Sequence, residues 1–213
     1  MANDIEIRNR ILETAREQFF AHGFNKVTMD EIASLLGMSK KTVYEFFPSK
    51  DKLVDAVLER QIITAMRRYA EIMNSPTEYV DKLYNVLCLV GRSFSQMRKR
   101  FQDELRRLRP DLWHYMEDIR RLTLFADFMR FIDDGIERGF VRTDIHRDVF
   151  LFAYISALQS VMSSELLIRE SFSANDAFRS LTQLILDGML TESARQQFRN
   201  SESYQQLTQR VAI

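Results

Sequence analysis

Glycine and proline are scarce in this chain of 213 residues, which contains six glycines and three prolines. No segment alternates regularly between apolar and polar side chains, as a half-buried strand would. These two absences argue against a protein built on β-sheets. Apolar side chains instead recur every three or four residues along most of the chain, a spacing typical of amphipathic helices. The sequence therefore predicts an all-α protein.

Cysteine is almost absent as well. The only one, Cys88, excludes an intramolecular disulfide and a zinc site built from cysteines. Its neighbours Leu83, Leu87 and Val90 are apolar, so we interpret it as a small core residue. No apolar run reaches the ~18 residues that a membrane span requires, and the charged N-terminus shows no signal peptide. We therefore expect no membrane contact and a cytoplasmic location.

An excess of charge of one sign is also missing. The 30 Lys and Arg residues balance the 30 Asp and Glu residues, which leaves a formal net charge of zero. A protein that coats nucleic acid through its overall charge is therefore excluded. Sequence reading would require a local group of cations, and residues 40–52 contain one. A second basic stretch, residues 98–109, fits the solvated face of a short helix, with a second nucleic-acid patch as the alternative.

Signatures of catalysis are lacking too. The three histidines, His22, His114 and His146, are predicted on different helices and do not have the spacing of metal ligands. The chain contains no Gly-rich phosphate loop, no Gly-x-Ser-x-Gly motif and no Cys–His pair with local support. We therefore predict that the protein is not an enzyme and that it binds no metal and no cofactor.

The chain does contain the signals for two short helices in succession. Thr28, with Glu31 three residues later, forms a capping-box pattern that begins the first helix. Gly37 supplies the turn that ends this helix, because glycine adopts a positive φ at little cost. Ser39 caps the second helix, which ends before Pro48.

The outward side of the second helix carries hydrogen-bond donors and positive charge, whereas its inward side is apolar. The major groove of DNA presents acceptors, so this outward side suits it. Ala33 is a small residue where the two helices would touch, and Val43 is the facing core residue. This arrangement is a helix-turn-helix, whose second helix enters the major groove. Two amphipathic helices that are merely joined by glycine are the alternative interpretation.

Residues 8–60 resemble the DNA-binding domain of the tetracycline-repressor (TetR) family, without a gap. The matching segments are Phe19-Phe20-Ala21-His22-Gly23-Phe24, Val27-Thr28-Met29, Ile32-Ala33, Leu36-Gly37-Met38-Ser39, Thr42-Val43-Tyr44 and Phe47-Pro48-Ser49-Lys50-Asp51-Lys52-Leu53. Lys41 stands where many members have glycine, so the base preference of relatives cannot be carried over. Beyond residue 60 the resemblance is only architectural. It implies an N-terminal three-helix helix-turn-helix DNA-binding domain and a C-terminal helical bundle for ligand binding and dimerisation.

We accordingly predict two domains. Residues 1–50 form the DNA-binding domain, and residues 51–213 form the ligand-binding and dimerisation domain. A linking helix over residues 50–74 would begin beside the DNA site and end in the second domain, which makes it the mechanical connection between them.

Four further long helices are predicted in the second domain, the first over about residues 77–97. A helix over residues 110–138 is apolar nearly all round in its second half, which places it in the middle of a bundle. Helices over residues 147–169 and 174–195 carry more apolar surface than one bundle face requires. The tail after residue 195 is polar and shows only a weak amphipathic pattern.

Seven polar residues are candidate DNA contacts. Donors suited to base edges are Ser39, Lys40, Lys41 and Thr42. Donors assigned to phosphates, which position a domain without reading sequence, are Thr28, Tyr44 and Lys50. Lys50 also lies at the start of a helix, where backbone N–H groups favour an anion.

The resemblance also implies a ligand site and a dimer interface in the second domain. Large apolar and aromatic residues that are candidates for a pocket are Met66, Tyr69, Phe94, Met97, Phe101, Trp113, Phe125, Phe128, Met129 and Phe152. A filled core is the alternative interpretation of the same residues. Candidates for the interface in the last two helices are Leu158, Met162, Leu181, Ile185 and Met189.

These patterns together predict a homodimeric regulator of transcription that binds a double-stranded DNA operator. A repressor is the more common case in the family, and an apolar or aromatic small molecule is the expected effector. Two alternatives stay open at this point. One is a helical regulator that binds a protein partner rather than DNA, and the other is a small-molecule-binding enzyme on the same bundle.

Overall fold

The computed structural model describes residues 2–96, 99–119, 126–161 and 172–208, with the side chains of residues 2, 93–96 and 99 left out. Within these residues it contains twelve α-helices and no strand, which confirms the all-α prediction. The helices are α1 (Ala2–His22), α2 (Met29–Leu36), α3 (Lys40–Phe46), α4 (Lys50–Asn74), α5 (Tyr79–Gln96), α6 (Lys99–Leu108), α7 (Pro110–Ile119), α8 (Ala126–Glu137), α9 (Arg147–Val161), α10 (Ala174–Met189), α11 (Glu192–Arg199) and α12 (Glu202–Thr208). None of the described helices is both long and apolar enough to cross a membrane.

The chain packs into two compact units. Unit 1 comprises Met1–Met66 and Gln96–Asp118, and unit 2 comprises Arg67–Ser95 and Ile119–Ile213. This division by packing differs from the predicted division near residue 50, which was one of function and stays a prediction. Helix α4 contributes residues to both units, whereas α6 and the greater part of α7 belong to unit 1 with the N-terminal helices.

Unit 1 is held together by one apolar cluster. Its members come from α1, α2, α3, the first half of α4, and from α6 and α7. Ile11, Phe19, Ile32, Val43 and Leu53 are completely buried in it. The buried residues of α1 and α4 follow the three-to-four-residue spacing of an amphipathic helix. These two helices therefore stabilise the short helices α2 and α3 through the shared apolar cluster.

Unit 2 has a second apolar cluster, built from the end of α4 and from α5 and α8–α12. At its centre the Tyr154 hydroxyl of α9 donates to the Leu87 carbonyl of α5 at 3.3 Å and lies 3.1 Å from Oγ1 of Thr182 on α10. Burial raises the pKa of Tyr154, so its hydroxyl keeps its proton at neutral pH. One buried polar group thereby joins three helices.

Two helices of unit 2 approach each other closely at a glycine. Gly135 of α8 faces the ring of Tyr79 on α5, and a Cβ atom at this position would overlap the Tyr79 hydroxyl. The same hydroxyl donates to the carbonyl oxygen of Phe131 at 3.1 Å, and the two rings stack at 4.4 Å. Gly188 of α10 likewise faces the ring of Phe150 on α9.

The C-terminal part of the chain differs from the sequence-based expectation. The helix predicted over 174–195 ends at Met189, because Thr191 caps a new helix with its hydroxyl, which accepts from the N–H of Ala194 at 3.3 Å. The same hydroxyl donates to the Gly139 carbonyl at 2.8 Å. The tail is likewise more ordered than predicted, since α11 and α12 bury Phe198 and Leu207.

The helix predicted over 110–138 is described in two parts, α7 and α8. Residues 120–125 between them lie outside the described residues. The chain turns after α8 at Gly139, whose φ is +74°.

Candidate nucleic-acid interface

Helix α2 begins as its sequence predicts. The Thr28 hydroxyl accepts from the N–H of Glu31 at 3.1 Å, and the Glu31 carboxylate accepts from the N–H of Thr28 at 2.6 Å. This reciprocal pair is a capping box. Hydrogen bonds from the backbone and the side chain of Thr28 lower the pKa of the Glu31 carboxyl. The Glu31 carboxyl is therefore ionised at neutral pH, and its hydrogen bonds with Thr28 stabilise the N-terminus of α2.

The turn between α2 and α3 also follows the prediction. Gly37 has a φ of +64° and its N–H, with that of Met38, closes the last turn of α2. Ser39 then caps α3, since its hydroxyl accepts from the N–H of Thr42 at 3.1 Å. The two hydroxyls of Ser39 and Thr42 lie 2.9 Å apart. Their hydrogen-bonding capacity is thus partly used within α3.

Helix α3 separates its apolar and polar sides sharply. Val43 is completely buried against the core of unit 1. Lys40, Lys41 and Tyr44 are exposed on the other side, and Tyr44 exposes 45% of its surface. The exposed side of α3 thus carries a phenol hydroxyl and two ammonium groups, all of which can donate hydrogen bonds.

The three candidate lysines have different partners within the chain. Lys40 forms an ion pair with Asp30 of α2, and Lys41 lies 4.0 Å from Glu45 on its own helix. The Lys50 ammonium donates to the carbonyl oxygens of Asn25 and Val27, at 3.2 and 3.4 Å. Exposed ion pairs contribute only ~0–1 kcal/mol, so a phosphate or a base can displace them.

Two residues near α3 were absent from the sequence-based prediction. Asp30 is one, because its contact with Lys40 bridges ten residues and depends on how α2 and α3 cross. Lys26 is the other; it is exposed in the loop before α2, two residues from the candidate Thr28. In the sequence, only the charged residues around the N-terminus of α2 indicated that Lys26 belongs to this region. Lys52, by contrast, lies 3.6 Å from Asp55, as its spacing suggested.

The candidate ligand residues are distributed over both units. In unit 1, Phe101 is completely buried between Phe20 and Phe24, with ring centroids 4.8 and 5.8 Å away. Trp113 packs on the same cluster beneath the guanidinium of Arg106, at 4.3 Å.

The remaining members of this candidate set lie elsewhere. In unit 2, Tyr69, Phe128 and Met129 belong to the core. Two are exposed: Met66 at the end of unit 1, and Phe152, with 71% of its surface accessible. Members outside the described residues or side chains are Phe94, Met97 and Phe125.

The candidate interface residues of α9 and α10 are mostly turned inwards. Leu158 and Met189 are buried in the core of unit 2, and Leu181 and Ile185 are half-buried against it. Met162 lies outside the described residues.

The family model described as "Bacterial regulatory proteins, tetR family" matches residues 11–57. This is the segment that contains the capping box, the Gly37 turn and the exposed side of α3. The chain carries the DNA-binding domain of the TetR family. The resemblance stated from the sequence is thereby confirmed, and so is the N-terminal helix-turn-helix.

Relatives of known name extend the match beyond this domain. The HTH-type transcriptional regulator YvaF of Bacillus subtilis is 24% identical over 185 residues, which covers 86% of this chain and 95% of YvaF. The HTH-type transcriptional repressor KstR2 of Mycobacterium tuberculosis is 26% identical over 146 residues, covering 67% of this chain and 72% of KstR2.

Solved structures share the fold. The structure of the ketosteroid transcriptional regulator KstR2 of M. tuberculosis superimposes with a TM-score of 0.64 at 23% identity, over 87% of this chain and 95% of that one. A transcriptional regulator from Saccharomonospora viridis, in complex with choline, reaches a TM-score of 0.65 at 20% identity, over 88% of this chain and 99% of that one. With its match to this DNA-binding domain and to these HTH-type regulators, the chain is a DNA-binding regulator and not an enzyme.

Proposed function

We propose that this chain is a cytoplasmic repressor that binds its operator as a homodimer and responds to a small molecule. The observation that carries the proposal is the two-sided character of α3: Val43 is buried, whereas Lys40, Lys41 and Tyr44 are exposed. A short, capped helix with donors on its free side fits the major groove.

In this proposal the base edges are read by Ser39, Lys40, Lys41 and Thr42. Lys41 is the strongest of these candidates, because its closest carboxylate is 4.0 Å away and its side chain is 87% exposed. To contact a base, the Lys40 ammonium group must either give up its ion pair with Asp30 or contact both groups at once. An ammonium group prefers the paired acceptors of guanine.

Phosphates are assigned to Thr28, Tyr44 and Lys50. Thr28 uses its hydroxyl in the capping box, so it acts by holding the free N–H groups at the start of α2, where an anion is favoured. Lys50 binds two backbone carbonyls at 3.2 and 3.4 Å, and its third hydrogen can reach a phosphate.

The homodimer is proposed to form through the exposed sides of α9 and α10. On α9, Val149 and Phe152 are exposed by 61 and 71%, and they lie on one helical face with the exposed Ala153. On α10, Leu184 is exposed by 68%. Exposed apolar side chains on two helices that pack together suit an isologous interface. The proposed contact thus moves from the buried Leu158 and Met189 to these residues, with Leu181 and Ile185 at its edge.

Response to a small molecule is supported by the similar proteins. One is named a ketosteroid transcriptional regulator, and another is in complex with choline. Helix α4 begins at Lys50, which touches the loop before α2, and continues into unit 2. A molecule that shifts the end of α4 would therefore alter operator binding, and operator and effector would oppose each other reciprocally.

One cavity lined by described residues of unit 2 is too small for such a molecule. Phe128, Tyr154 and Ile185 line an internal cavity of only about 10 Å³, which is about the volume that one water centre needs. Among the candidate ligand residues, Tyr69, Phe128 and Met129 are accordingly core residues in this state. A larger space in the same unit lies between α4, α5 and α12.

Recovery of fragmented genomic DNA by the purified protein tests the DNA-binding part of the proposal. We expect a small set of sequences with two related half-sites to be enriched. A variant with Lys40→Ala and Lys41→Ala should lose this enrichment, whereas Lys52→Ala, whose lysine pairs with Asp55, should keep it. Recovery of the same random fragments by all three proteins would contradict the proposal.

A thermal-shift screen of hydrophobic metabolites and drugs tests the response. Each stabilising compound is added to an operator titration. Compounds that stabilise the protein but leave operator affinity unchanged in every case would contradict a ligand-responsive regulator.

A further inference from the structure

Unit 2 contains an open cleft of about 380 Å³ between the last turns of α4, the middle of α5 and α12. This volume lies within the range of small-molecule sites. The residues that line it are Arg68, Glu71, Ile72, Ser75, Thr77, Tyr84, Asn85, Cys88, Leu89, Arg92 and Gln206. We call this space the Arg68 cleft.

The charges of the Arg68 cleft favour an anion. Its lining residues include two guanidinium groups, Arg68 and Arg92, and one carboxylate, Glu71. Glu71 also lies 4.0 Å from Arg67, a second cation on α4. A guanidinium group presents paired N–H donors that match the two oxygens of a carboxylate.

The remaining walls suit a partly apolar molecule. Ile72 of α4 and Leu89 of α5 are half-buried and also pack on the core of unit 2. Tyr84 is buried, with its ring 5.8 Å from that of Phe198. Polar groups from Asn85 and the α12 residue Gln206 complete the rim.

Cys88 lies in the wall of the cleft, one helical turn after Tyr84. Burial raises the pKa of its thiol, so the thiol is neutral at physiological pH and a poor nucleophile. A redox role is therefore not what this cysteine offers. It is, however, partly exposed, and it is the only cysteine of the chain. Its rate of alkylation can therefore report whether the cleft is occupied.

We propose that the Arg68 cleft binds a small organic carboxylate with an apolar tail, held by Arg68 and Arg92 at its charged end and by Ile72 and Leu89 along its tail. Binding of the carboxylate does not depend on the proposed function. Only its role as the effector rests on that function. The end of α4 forms one wall, so occupation of the cleft bears directly on the helix that begins at Lys50. The two arginines of the cleft disfavour a quaternary ammonium compound such as choline.

Alkylation of Cys88 by N-ethylmaleimide measures occupation of the cleft directly. The probes are decanoate, decan-1-ol and decyltrimethylammonium, which share an apolar tail and differ in charge. With decanoate at about nine times its Kd, the thiol should react roughly tenfold more slowly, because only the free fraction of protein reacts. The alcohol and the cation should protect much less.

Variants separate charge recognition from contact with the tail. Arg68→Gln and Arg92→Gln should each raise the Kd of decanoate by about tenfold, which corresponds to ~1.4 kcal/mol, and should leave the weak protection by decan-1-ol unchanged. Arg199→Gln removes an exposed arginine of α11 that does not line the cleft, and it should change neither. Circular dichroism of each variant checks that the helices are intact.

The outcomes distinguish this inference from the proposed function. Equal protection by the three probes, or no protection by any, overturns the carboxylate site while the thermal-shift screen still tests for an effector. Protection by decanoate that depends on both arginines supports the site. If decanoate also weakens operator binding, the site is that of the effector. If operator affinity does not change under the same conditions, the site stands and its role as effector site is overturned.

Discussion

The carboxylate of Glu104 accepts a hydrogen bond from the backbone N–H of Asn25 at 2.8 Å. Glu104 lies on α6 and is only 6% exposed, and its other oxygen accepts from Arg100 at 3.1 Å. Asn25 lies in the loop between α1 and α2, and its carbonyl accepts from Lys50 of α4. The loop that precedes the capping box is therefore held by two helices of unit 1 at once.

We expect Glu104→Ala to lower the free energy of unfolding by about 1–3 kcal/mol, because the N–H of Asn25 then lacks its partner. Glu104→Gln keeps an acceptor and should cost less. Urea unfolding compares the stabilities, and an operator titration at a temperature where both variants are folded compares affinities. We expect the alanine variant to bind the operator more weakly, since the loop carries the start of α2. Equal stability and affinity for the three proteins would show that the contact has no such role.

Gly23→Ala should destabilise unit 1 more than Gly37→Ala. Both glycines have positive φ, +81° and +64°, so each alanine introduces backbone strain of about 1–2 kcal/mol. Only at Gly23 would the added Cβ meet another group, the Glu104 carboxylate at 2.5 Å; at Gly37 the space is open. Chemical unfolding of both variants measures the difference. A larger loss for Gly37→Ala would contradict the close approach of α6 to this loop.

Substitutions in α3 and at the start of α4 should separate base reading from phosphate binding. Lys40→Ala and Lys41→Ala should relax discrimination at particular base pairs, by ~1–3 kcal/mol each. Lys50→Ala should weaken binding to all sequences alike and reduce the slope of affinity against salt by about 0.9. Operator titrations at several salt concentrations, with single base changes, measure both effects. Lys52→Ala serves as the control because its lysine pairs with Asp55.

The ion pair between Lys40 and Asp30 adds a prediction that the lysine variants alone do not make. Asp30→Asn removes the carboxylate that holds Lys40, so we expect tighter binding overall, through loss of a negative charge beside the DNA. Discrimination at the base pair read by Lys40 should change as well. Combined with Lys40→Ala, the same substitution should no longer alter discrimination there. A double-mutant cycle on the operator tests this, and strict additivity of the two effects would argue against the pair.

A charged residue on the exposed face of α9 should prevent dimer formation. Phe152→Glu places a carboxylate at the most exposed large apolar residue in the described part of the chain, and burying it in an interface is unfavourable. Light scattering at micromolar concentration should show a dimer for the wild type and a monomer for this variant, which should also lose specific binding to half-sites one DNA turn, ~34–36 Å, apart. Tyr115→Glu changes an exposed aromatic residue of unit 1 and should leave the dimer intact. A monomeric wild type would contradict the proposed dimer.

Much of the helix-turn-helix was predictable from the sequence because its determinants are local. Thr28 and Glu31 are three residues apart, Ser39 and Thr42 likewise, and their hydrogen bonds form within one helical turn. The turn at Gly37 depends on the φ of one residue. Such interactions depend little on the rest of the chain, so residue type and spacing were sufficient.

The candidate sites beyond α3 were harder to predict because apolar residue type does not reveal which core a side chain enters. Phe101 and Trp113 belong to unit 1 with the N-terminal helices, whereas Phe128 and Met129 belong to unit 2. Leu158 is buried and Phe152 is exposed on the same helix, although both are large and apolar. Burial and exposure of such residues are decided by which neighbouring helix covers each face, and the sequence of one helix does not contain that information.

Polar contacts divide in the same way. The sequence by itself determined the helices, the caps and the exposed cations of α3, since these follow from interactions over three or four residues. Only the tertiary structure decided that Lys40 meets Asp30, that Lys50 binds the carbonyls of Asn25 and Val27, and that Glu104 reaches Asn25 across 79 positions of the chain. It also decided that Arg68 and Arg92, on separate helices, line one cleft. Contacts between distant residues arise only when packing of the apolar faces brings their helices together, and the polar side chains then take the partners that this packing leaves within reach.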